Sequence, residues 1–497
     1  MMGSFPLRIT GLAGRARLLL VASAAASITL AAAIVAISPA AAATQPHWSS
    51  AKLMPGVPGD WSVPIAVSCT GPGDCTTGGE YGTDDPYSGS LPFVATETAG
   101  KWGGARNVID VPALGGNQYA AVTSVSCAWP GNCAAVGYYL LSAAPSFPGQ
   151  AFVVDQVNGT WQPAHRLGGV TASVNVSALE AGWMITVSCA PATTSAARTR
   201  GLNCLAVGGA NRGGHYRGFM ASAAHGTWGA AQLVTGLARL DSTRRSQVDA
   251  VSCAAAGTCV IGGYYTDSKG RRQSFVANEA AGTWHDALAV PGVNALNVKG
   301  SAEVDAVDCS IAGDCTAVGD YRSKSGAAEF FVVRATGGRW RDAIPMPGIA
   351  RLGIGADLGS AVIAEVSCTP AACEVGGTMN TSRVDGSVGF LVGETDGRWA
   401  APHAVPGTDT VITALSCPAP GDCTAGGTTA PGISTNGIVL DQVNGIWGKP
   451  VTVAHGNGIE AEVTALSCAA TRTCAAVGFL PEGIRGGPLA TVATETP

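Results

Sequence analysis

The strongest constraint in this sequence is a pair of cysteines that recurs eight times, at intervals of about 50–60 residues. Six pairs have five residues between the cysteines, one has four, and one has a long insertion. Regular, even-numbered cysteines are typical of disulfides in an exported chain, whereas isolated pairs do not match the ligand sets of structural zinc. We therefore predict eight structural disulfides, each within one repeat. The pairs are Cys69/Cys75, Cys127/Cys133, Cys189/Cys204, Cys253/Cys259, Cys309/Cys315, Cys368/Cys373, Cys417/Cys423 and Cys468/Cys474.

Aligning the sequence on these cysteines shows one unit of four short strands. In the fourth repeat, VDAVS precedes Cys253, VIGGYY follows Cys259, a third strand begins at Phe275-Val276, and a Gly-x-Trp turn ends at Trp284. Four strands repeated at this length are the signature of propeller blades. We predict an all-β, eight-bladed β-propeller of four-stranded antiparallel blades, with seven blades and an irregular unit as the alternative. The recurring Trp is expected to pack between neighbouring blades.

The two ends of the chain contain complementary fragments of a repeat. The eighth unit has a third strand from Leu489, but the chain stops before any Trp, while Gly59-Asp60-Trp61 precedes the first cysteine pair. We predict that an N-terminal strand beginning at Trp61 completes the last blade. Such closure removes two exposed sheet edges, which otherwise invite aggregation.

The N-terminus has the pattern of an export signal. Three arginines precede an apolar run of about 20 residues, and three alanines at 41–43 fit a signal-peptidase site. We predict a signal peptide at 1–43 and a single propeller domain at 44–497. The apolar run is also long enough to span a bilayer, so an uncleaved membrane anchor is the alternative. Both interpretations place the propeller outside the cytoplasm, secreted or associated with the cell envelope.

The repeat resembles two propeller families. Gly78-Gly79 stands where kelch repeats carry Gly-Gly, and Gly100-Lys101-Trp102 stands where sialidase-type propellers carry an Asp box. The Gly–Trp spacing is one residue short of an Asp box, and Thr98 and its equivalents never supply the defining Asp. The unit is also similar to the Ser-Cys-x5-Cys-x-x-Val-Gly repeats of uncharacterised exported actinobacterial proteins. That resemblance covers nearly all of residues 59–497 and implies no known activity.

The sequence contains no recognisable catalytic motif. The seven histidines lack metal-ligand spacing, and neither a Gly-x-Ser-x-Gly nor a phosphate-loop motif is present. The arginine-rich motif of sialidases is also missing, so the Asp-box resemblance transfers no catalytic residue. We predict no catalytic residue, cofactor or metal, and a non-enzymatic binding or scaffold module. Because propeller enzymes assemble sites from single residues on different blades, a carbohydrate-active hydrolase or lyase is the alternative.

The net charge of −5 argues against nucleic acid or a membrane surface as the general partner of the chain. One sector of the chain is nevertheless basic. In a four-stranded meander, the loops between strands two and three share a face with the blade-to-blade connections, opposite the disulfides. We predict a binding surface on this variable-loop face for an anionic envelope polymer, a glycan or an exported protein, since arginine suits carboxylate and phosphate groups. Ordinary solvated loops are the alternative, and a monomer is expected. The predicted residues are Arg212, Arg217, Arg244, Arg245, Tyr264, Tyr265, Lys269, Arg271 and Arg272.

Overall fold

Eight antiparallel sheets follow one another along the chain and form an eight-bladed β-propeller, as predicted. The computed structural model describes residues 47–83, 89–111, 114, 116–141, 148–167, 174–175, 185–191, 201–212, 215–352, 361–381, 386–432, 434–456, 460–481 and 487–496. The predicted signal peptide or anchor at 1–43 lies outside the described residues. In each blade the strands are named A to D in spatial order, and D consists of two short pieces that both pair with C.

The strands of the first four blades have the following bounds. Blade 1 contains Trp61–Gly71, Asp74–Gly82, Leu91–Thr98, Lys101–Trp102 and Arg106–Asn107. Blade 2 contains Gly116–Trp129, Asn132–Leu141, Pro148–Val157, Thr160–Trp161 and His165–Arg166, with Val174–Asn175 as a further piece on strand C. Blade 3 contains Thr186–Cys189, Cys204–Arg212, His215–Ala224, Thr227–Trp228 and Gln232–Leu233. Blade 4 contains Ser246–Ala255, Thr258–Thr266, Arg272–Ala280, Thr283–Trp284 and Leu288–Ala289.

The remaining blades follow the same plan. Blade 5 contains Ala302–Ile311, Asp314–Arg322, Ala328–Thr336, Arg339–Trp340 and Ile344–Pro345. Blade 6 contains Ala361–Thr369, Ala372–Thr381, Gly386–Thr395, Arg398–Trp399 and His403–Ala404. Blade 7 contains Val411–Ala419, Asp422–Thr429, Asn436–Val443, Ile446–Trp447 and Val451–Ala454. Blade 8 contains Glu462–Ala470, Thr473–Leu480, Leu489–Thr496, His47–Trp48 and Lys52–Leu53. Short helical turns at Leu237–Leu240, Val293–Leu296 and Ile349–Leu352 lie in blade connections.

A closed ring of hydrogen bonds joins the A strands. In each blade the first cysteine donates its backbone N–H to the side chain that precedes the first cysteine of the previous blade, over 2.7–3.1 Å. The acceptor is Ser in seven blades and Asp308 in blade 5, and the bond from Cys69 to Ser467 closes the ring. The repeated Ser-Cys therefore has a structural cause, because it links each blade to the next.

The apolar core is divided among the blade junctions. Each of the eight clusters of buried apolar residues contains side chains from two adjacent blades. Phe275 of blade 4, for example, is fully buried in a cluster that includes Val207 of blade 3. A blade thus buries its apolar faces only when both neighbours are present, which makes closure of the ring essential to stability.

The Gly-x-Trp motif is a tight turn followed by a packing residue. Ala99 and Gly100 have φ of 49° and 79°, as a two-residue type I′ hairpin turn requires. The Trp that follows reaches the preceding blade: the indole N–H of Trp228 donates to Asp155 at 3.0 Å, and that of Trp340 donates to Asn278 at 2.8 Å. The predicted packing role between neighbouring blades is confirmed.

All eight predicted disulfides are present, each within one blade. Cys253 lies directly opposite Cys259 in the A–B hairpin, and the pair with the long insertion, Cys189 and Cys204, is likewise in register. The A–B hairpin also touches the C–D turn, as when Gly282 N–H donates to Gly257 at 2.9 Å. Disulfides and C–D turns therefore share one face, and the B–C loops lie at the opposite, variable-loop face.

The cysteines on strand B are part of the packed interior and do not form an accessible site. Cys133 packs in the apolar cluster between blades 1 and 2, where its Sγ lies 3.4 Å from the hydroxyl oxygen of Thr76. Cys315 and Cys474 have the same place at the junctions of blades 4 and 5 and of blades 7 and 8. A reactive cysteine needs access to solvent, so these disulfides act as structural cross-links. The second cysteine of every pair is buried, with at most 6% of its surface exposed: Cys75, Cys133, Cys204, Cys259, Cys315, Cys373, Cys423 and Cys474.

The N-terminal strand closes the ring, but the prediction that it begins at Trp61 is wrong. Trp61 is the first residue of strand A in blade 1, where it pairs with Gly82. Strand D of blade 8 is instead formed by His47–Trp48 and Lys52–Leu53, which pair with Leu489–Thr496. Trp48 is buried and donates its indole N–H to Asp441 of blade 7 at 3.0 Å, as Trp228 and Trp340 do to their preceding blades.

Strand C of blade 8, which pairs with the N-terminal strand, contains a carboxyl that makes stability pH-dependent. Glu495 lies opposite Trp48, and burial together with the nearby charge of Asp441 raises the pKa of Glu495 to about 8. In the unfolded chain this group ionises near pH 4.5. Folding therefore takes up a proton between these values, and the associated stability is present below about pH 4.5 and lost as the pH rises through about 8.

We expect the melting temperature of the wild type to fall between pH 5 and pH 8.5, and the Glu495→Gln variant to show a shallower fall. Gln156 and Gln442 occupy the equivalent place in blades 2 and 7, so the blade accommodates this side chain. Differential scanning calorimetry across the pH range measures the slope. The control is Asp342→Asn, at an exposed position, which should keep the wild-type slope. Equal slopes for all three proteins would contradict the assignment.

Candidate functional site on the variable-loop face

The predicted binding residues come from blades 3 and 4. Arg212 ends strand B of blade 3, and its side chain lies outside the described part of the structure. Arg217 is in strand C of blade 3, and Arg244 and Arg245 lie in the connection to blade 4. The tyrosines are near the end of strand B in blade 4, and Lys269, Arg271 and Arg272 are in or next to its B–C loop. The topology therefore places all of these positions towards the variable-loop face.

Arg217 and Arg244 line a cavity of about 270 Å³ between blades 3 and 4. Leu233 and Leu237 contribute apolar wall, and Asp241 is also in the lining. Asp241 is buried and accepts a hydrogen bond from the backbone N–H of Arg245 at 2.8 Å, which fixes the loop that carries Arg244. Among the described residues, neither Arg217 nor Arg244 forms an ion pair. This cavity therefore offers two guanidinium groups to a ligand.

Two other basic residues of the predicted surface, Arg271 and Arg272, form ion pairs within the protein. Arg271 is ion-paired with Asp267 at 2.9 Å. Arg272 is ion-paired with Glu303 of blade 5 at 2.8 Å, and its guanidinium carbon lies 4.0 Å from the centroid of the Tyr264 ring, within the range of a cation–π contact.

Lys269 contributes its backbone N–H rather than its side chain to the same loop, in a hydrogen bond to Asp267 at 2.8 Å. Tyr265 is buried in the apolar cluster between blades 3 and 4, so the prediction that it adds a stacking surface is wrong. The structure thus brings Arg217 and Arg244 to a cavity and holds Arg271, Arg272 and Tyr264 in contacts within the protein.

A group of carboxyls lies next to Arg272 and was not predicted. Oxygens of Glu303, Asp305 and Asp320 in blade 5 are all within 4.8 Å of one another. Burial and the charge of Glu303 raise the pKa of Asp320 to about 7, and burial followed by neighbouring carboxylates, first that of Asp320, raises the pKa of Asp305. Burial, followed by the charge of Glu303, raises the pKa of Asp249 in blade 4 to about 8. Glu303, Asp305 and Asp320 are the described residues that could hold a metal ion.

The sequence does contain a signal for these acids. In blades 2, 7 and 8 the residue four positions before the first cysteine is Thr, and its hydroxyl donates to a backbone carbonyl of the next blade, at 2.6 Å from Thr464 to Pro64. Blades 4 and 5 have Asp249 and Asp305 at this position, in a β-bulge of strand A. The change from Thr to Asp in the aligned repeats distinguishes this sector, but only the fold shows which other acids lie beside it.

A larger cavity, of about 660 Å³, lies between blades 6 and 7 near the disulfide hairpins. Glu374, Glu394, Trp399 and Trp447 line it. Burial raises the pKa of Glu374 to about 7, although hydrogen bonds from Trp447 and Gln442 act in the opposite direction. Glu394 is ion-paired with Arg334 at 2.8 Å. Both glutamates are buried, so they form the base of the cavity rather than its rim.

Comparisons with known proteins identify no family. No family model matches the sequence, and no curated protein is significantly similar to it. Among solved structures, Sqt1 of Chaetomium thermophilum, bound to the N-terminus of ribosomal protein L10, is 11% identical over 90% of this chain and 100% of its own, with a TM-score of 0.48.

Two carbohydrate-related structures are more distant. A PL25 ulvan lyase is 9% identical over 71% of this chain and 89% of its own, with a TM-score of 0.40. The six-bladed, fucose-binding lectin of Aleuria aurantia is 12% identical over 70% of this chain and 98% of its own, with a TM-score of 0.33. Similarities at this level leave binding and polysaccharide cleavage undetermined.

The disulfides bear on the cellular location of the protein. Eight disulfides indicate an oxidising, extracytoplasmic environment. Among the residues that the structure describes, no helix is long and apolar enough to cross a membrane.

Proposed function

We propose that this protein is an exported, non-enzymatic binding propeller that captures an anionic group of an envelope polymer, a glycan or an exported protein on its variable-loop face. The observation that carries the proposal is the cavity lined by Arg217 and Arg244, which have no ion-pair partner among the described residues. Two guanidinium groups can bind a carboxylate or phosphate through several charge-assisted hydrogen bonds.

The size of the cavity limits what it can hold. A volume of about 270 Å³ is at the lower end for small-molecule sites, so it accommodates one charged group with part of a sugar rather than an oligosaccharide. Leu233 and Leu237 supply apolar surface against which the uncharged side of a sugar can pack. The ligand is therefore a residue within a polymer or a protein chain, whose remainder lies over the loops of blades 3 and 4.

Export is the second element of the proposal. It is supported by the N-terminal pattern of a signal peptide and by the eight disulfides. The similarity to exported actinobacterial repeats supports the same location. The kelch-like Gly-Gly and Asp-box-like Gly-x-Trp resemblances concern the blade and transfer no substrate.

We expect the Arg217→Ser/Arg244→Ser variant to lose retention on isolated cell envelopes by about tenfold, which corresponds to about 1.4 kcal/mol. The contacts are partly exposed, so retention of the wild type should also weaken as salt rises from about 50 to about 500 mM. Co-sedimentation of the purified mature protein with washed envelopes measures both effects.

The matched control is Arg239→Ser/Arg271→Ser, which removes the same net charge from the same sector. Arg239 and Arg271 are ion-paired with Asp286 and Asp267, so their loss should leave retention close to the wild-type value. If the Arg217/Arg244 variant is fully retained while its circular dichroism spectrum is unchanged, the cavity is not the binding site.

A carbohydrate-active hydrolase or lyase is the second candidate, because Glu374 and Glu394 line the larger cavity together with two tryptophans. A carboxyl with a raised pKa beside an ionised one is the arrangement that glycosidases use. However, the Glu374 oxygens accept hydrogen bonds from Trp447 and Gln442 of blade 7, both at 3.1 Å. Glu374 therefore connects two blades, and we expect no turnover of chromogenic glycosides or polysaccharides. Turnover that Glu374→Gln abolishes in a folded protein would reverse the ranking.

A further inference from the structure

We propose that Glu303, Asp305 and Asp320 form a calcium-binding site on strands A and B of blade 5, separate from the arginine-lined cavity. All three side chains come from the A–B hairpin of one blade. They lie at the end of the hairpin opposite its disulfide, and therefore towards the variable-loop face.

The strand register brings like charges together. Glu303 and Asp320 are direct cross-strand partners, an arrangement that destabilises a sheet when both side chains are ionised and nothing neutralises them. A bulge between Val304 and Ala306 leaves Asp305 without a cross-strand partner and brings its carboxylate within 4.8 Å of the other two. Arg272 bonds to one oxygen of Glu303, Oε2, at 2.8 Å, and the charge of Arg322 also acts on Asp320, so two guanidinium groups face three carboxylates.

A second observation points to a missing ligand. Asp305 keeps some contact with solvent as a residue, but its Oδ2 atom is buried and has no hydrogen-bond partner among the described residues. A buried, unpaired carboxylate oxygen is costly unless a cation or a donor reaches it. A metal ion between the three carboxylates would satisfy this atom and remove the repulsion between Glu303 and Asp320.

The donor set and the flexible coordination geometry of calcium favour Ca²⁺ as the ion. Three carboxylates are hard oxygen ligands, which suit Ca²⁺, Mg²⁺ or Mn²⁺ rather than softer metals. Ca²⁺ accepts oxygens at about 2.3–2.6 Å in a flexible geometry, whereas Mg²⁺ demands a near-ideal octahedron at about 2.0–2.1 Å and dehydrates reluctantly. Three carboxylate oxygens that lie within 4.8 Å of one another on one hairpin therefore suit Ca²⁺ better than Mg²⁺, and water would complete its coordination.

This arrangement is a feature of blade 5 rather than of the repeat. At the equivalent cross-strand pair, none of the six other blades in which the structure describes this pair has two acids. The pairs are Val63/Glu80, Ala121/Tyr138, Gln247/Tyr264, Val362/Thr378, Val411/Thr428 and Glu462/Phe479. Folding of the hairpin does not require two acids at the position of Glu303 and Asp320, since six other residue pairs form the same hairpin.

The test titrates the chelator-treated mature protein with CaCl2 and follows heat by isothermal calorimetry. Three carboxylates, one of them shared with Arg272, predict a dissociation constant on the order of 0.1–1 mM, in the range of extracellular calcium modules. At about 10 mM calcium the melting temperature should rise by about 1–3 °C. Terbium should bind at the same site and show sensitised luminescence that calcium competes away, and MgCl2 should bind more weakly.

The decisive variant is Asp305→Asn/Asp320→Asn, with Glu80→Gln as its matched control. Glu80 occupies the position of Asp320 in blade 1 but faces Val63, so its loss should leave calcium binding unchanged. The double variant should lose the calcium-induced shift, yet in chelator it should melt at or above the wild-type temperature, because like charges have been removed. No calcium heat and no terbium signal for the wild type, or an unchanged response of the double variant, would overturn the proposal. If a proton instead of a metal neutralises these carboxyl groups, the wild type will show neither calcium heat nor a terbium signal.

Discussion

Deletion of residues 47–54 is expected to prevent the mature chain from folding as a stable monomer. The deletion removes strand D of blade 8 and two buried side chains, Trp48 and Met54. Each buried side chain of this size contributes about 2–5 kcal/mol, against a typical total stability of about 5–15 kcal/mol. The C strand Leu489–Thr496 would also become an exposed edge, which favours association between molecules.

Size-exclusion chromatography and thermal unfolding of the purified variant measure this effect. A matched control deletes two exposed residues outside any strand, 268–269 in the B–C loop of blade 4, which leaves three residues to close the hairpin, and it should remain monomeric. A monomer with a melting temperature close to that of the wild type after deletion of 47–54 would show that the N-terminal segment is not needed for closure.

Substitution of single tryptophans distinguishes the loss of the contact that closes the ring from a simple loss of buried side-chain volume. The indole N–H of Trp48 donates to Asp441, whereas that of the equivalent Trp284 in blade 4 is buried with no partner among the described residues. Trp48→Phe leaves the half-buried carboxylate of Asp441 short of a donor and should cost about 1–3 kcal/mol more than Trp284→Phe. Equal losses in chemical denaturation would mean that the hydrogen bond across the closing junction contributes nothing.

The prediction that the N-terminal strand of blade 8 begins at Trp61 is wrong for a physical reason. In the other blades one chain segment forms the C–D turn, and Gly100 and its equivalents supply the positive φ that the turn requires. In blade 8 strands C and D come from opposite ends of the chain, so no turn and no glycine are needed. Trp48 therefore lacks the Gly-x-Trp motif, while Trp61 carries it by coincidence, as Gly59-Asp60-Trp61.

The repeat itself was predictable because every blade needs the same few local contacts at the same positions. The cysteines lie opposite each other, Gly-x-Trp forms a tight turn, and the serine before the first cysteine in seven of the eight blades accepts a hydrogen bond from the next blade. These constraints act within a few residues or between equivalent positions, so alignment of the repeats exposes them.

The contacts around the candidate sites depend on long-range geometry, and the sequence alone did not determine them. Arg217 and Arg244 line one cavity although they lie on different elements, while Arg272 turns instead to Glu303 in the next blade. The sequence alone does not distinguish the arginines of a basic stretch from one another. Their roles differ because the fold places an acid beside some of them and not beside others. The acids of blade 5 were overlooked for the same reason, since Glu303 and Asp320 meet only through strand register.

Reduction of all eight disulfides is expected to unfold the protein at temperatures where the oxidised form is fully folded. Each short loop of the C-x5-C type restricts the unfolded chain by about 2 kcal/mol, and the longer loop between Cys189 and Cys204 by about 3 kcal/mol. Together these terms are as large as the whole stability of a typical domain. Thermal unfolding with and without a strong thiol reductant under mild denaturant, with free thiols counted afterwards, measures the effect.

Individual disulfide variants test whether this effect is distributed around the ring. Cys253→Ser/Cys259→Ser removes one short loop and should cost about 2 kcal/mol, whereas Cys189→Ser/Cys204→Ser should cost about 1 kcal/mol more because its loop is longer. In both variants the backbone ladder that keeps these positions opposite each other remains. If the fully reduced protein kept the melting temperature of the oxidised form, the apolar clusters between blades would suffice without the disulfides. The loss of stability that we expect on full reduction means that the protein folds stably only in an oxidising compartment. This agrees with a location outside the cytoplasm.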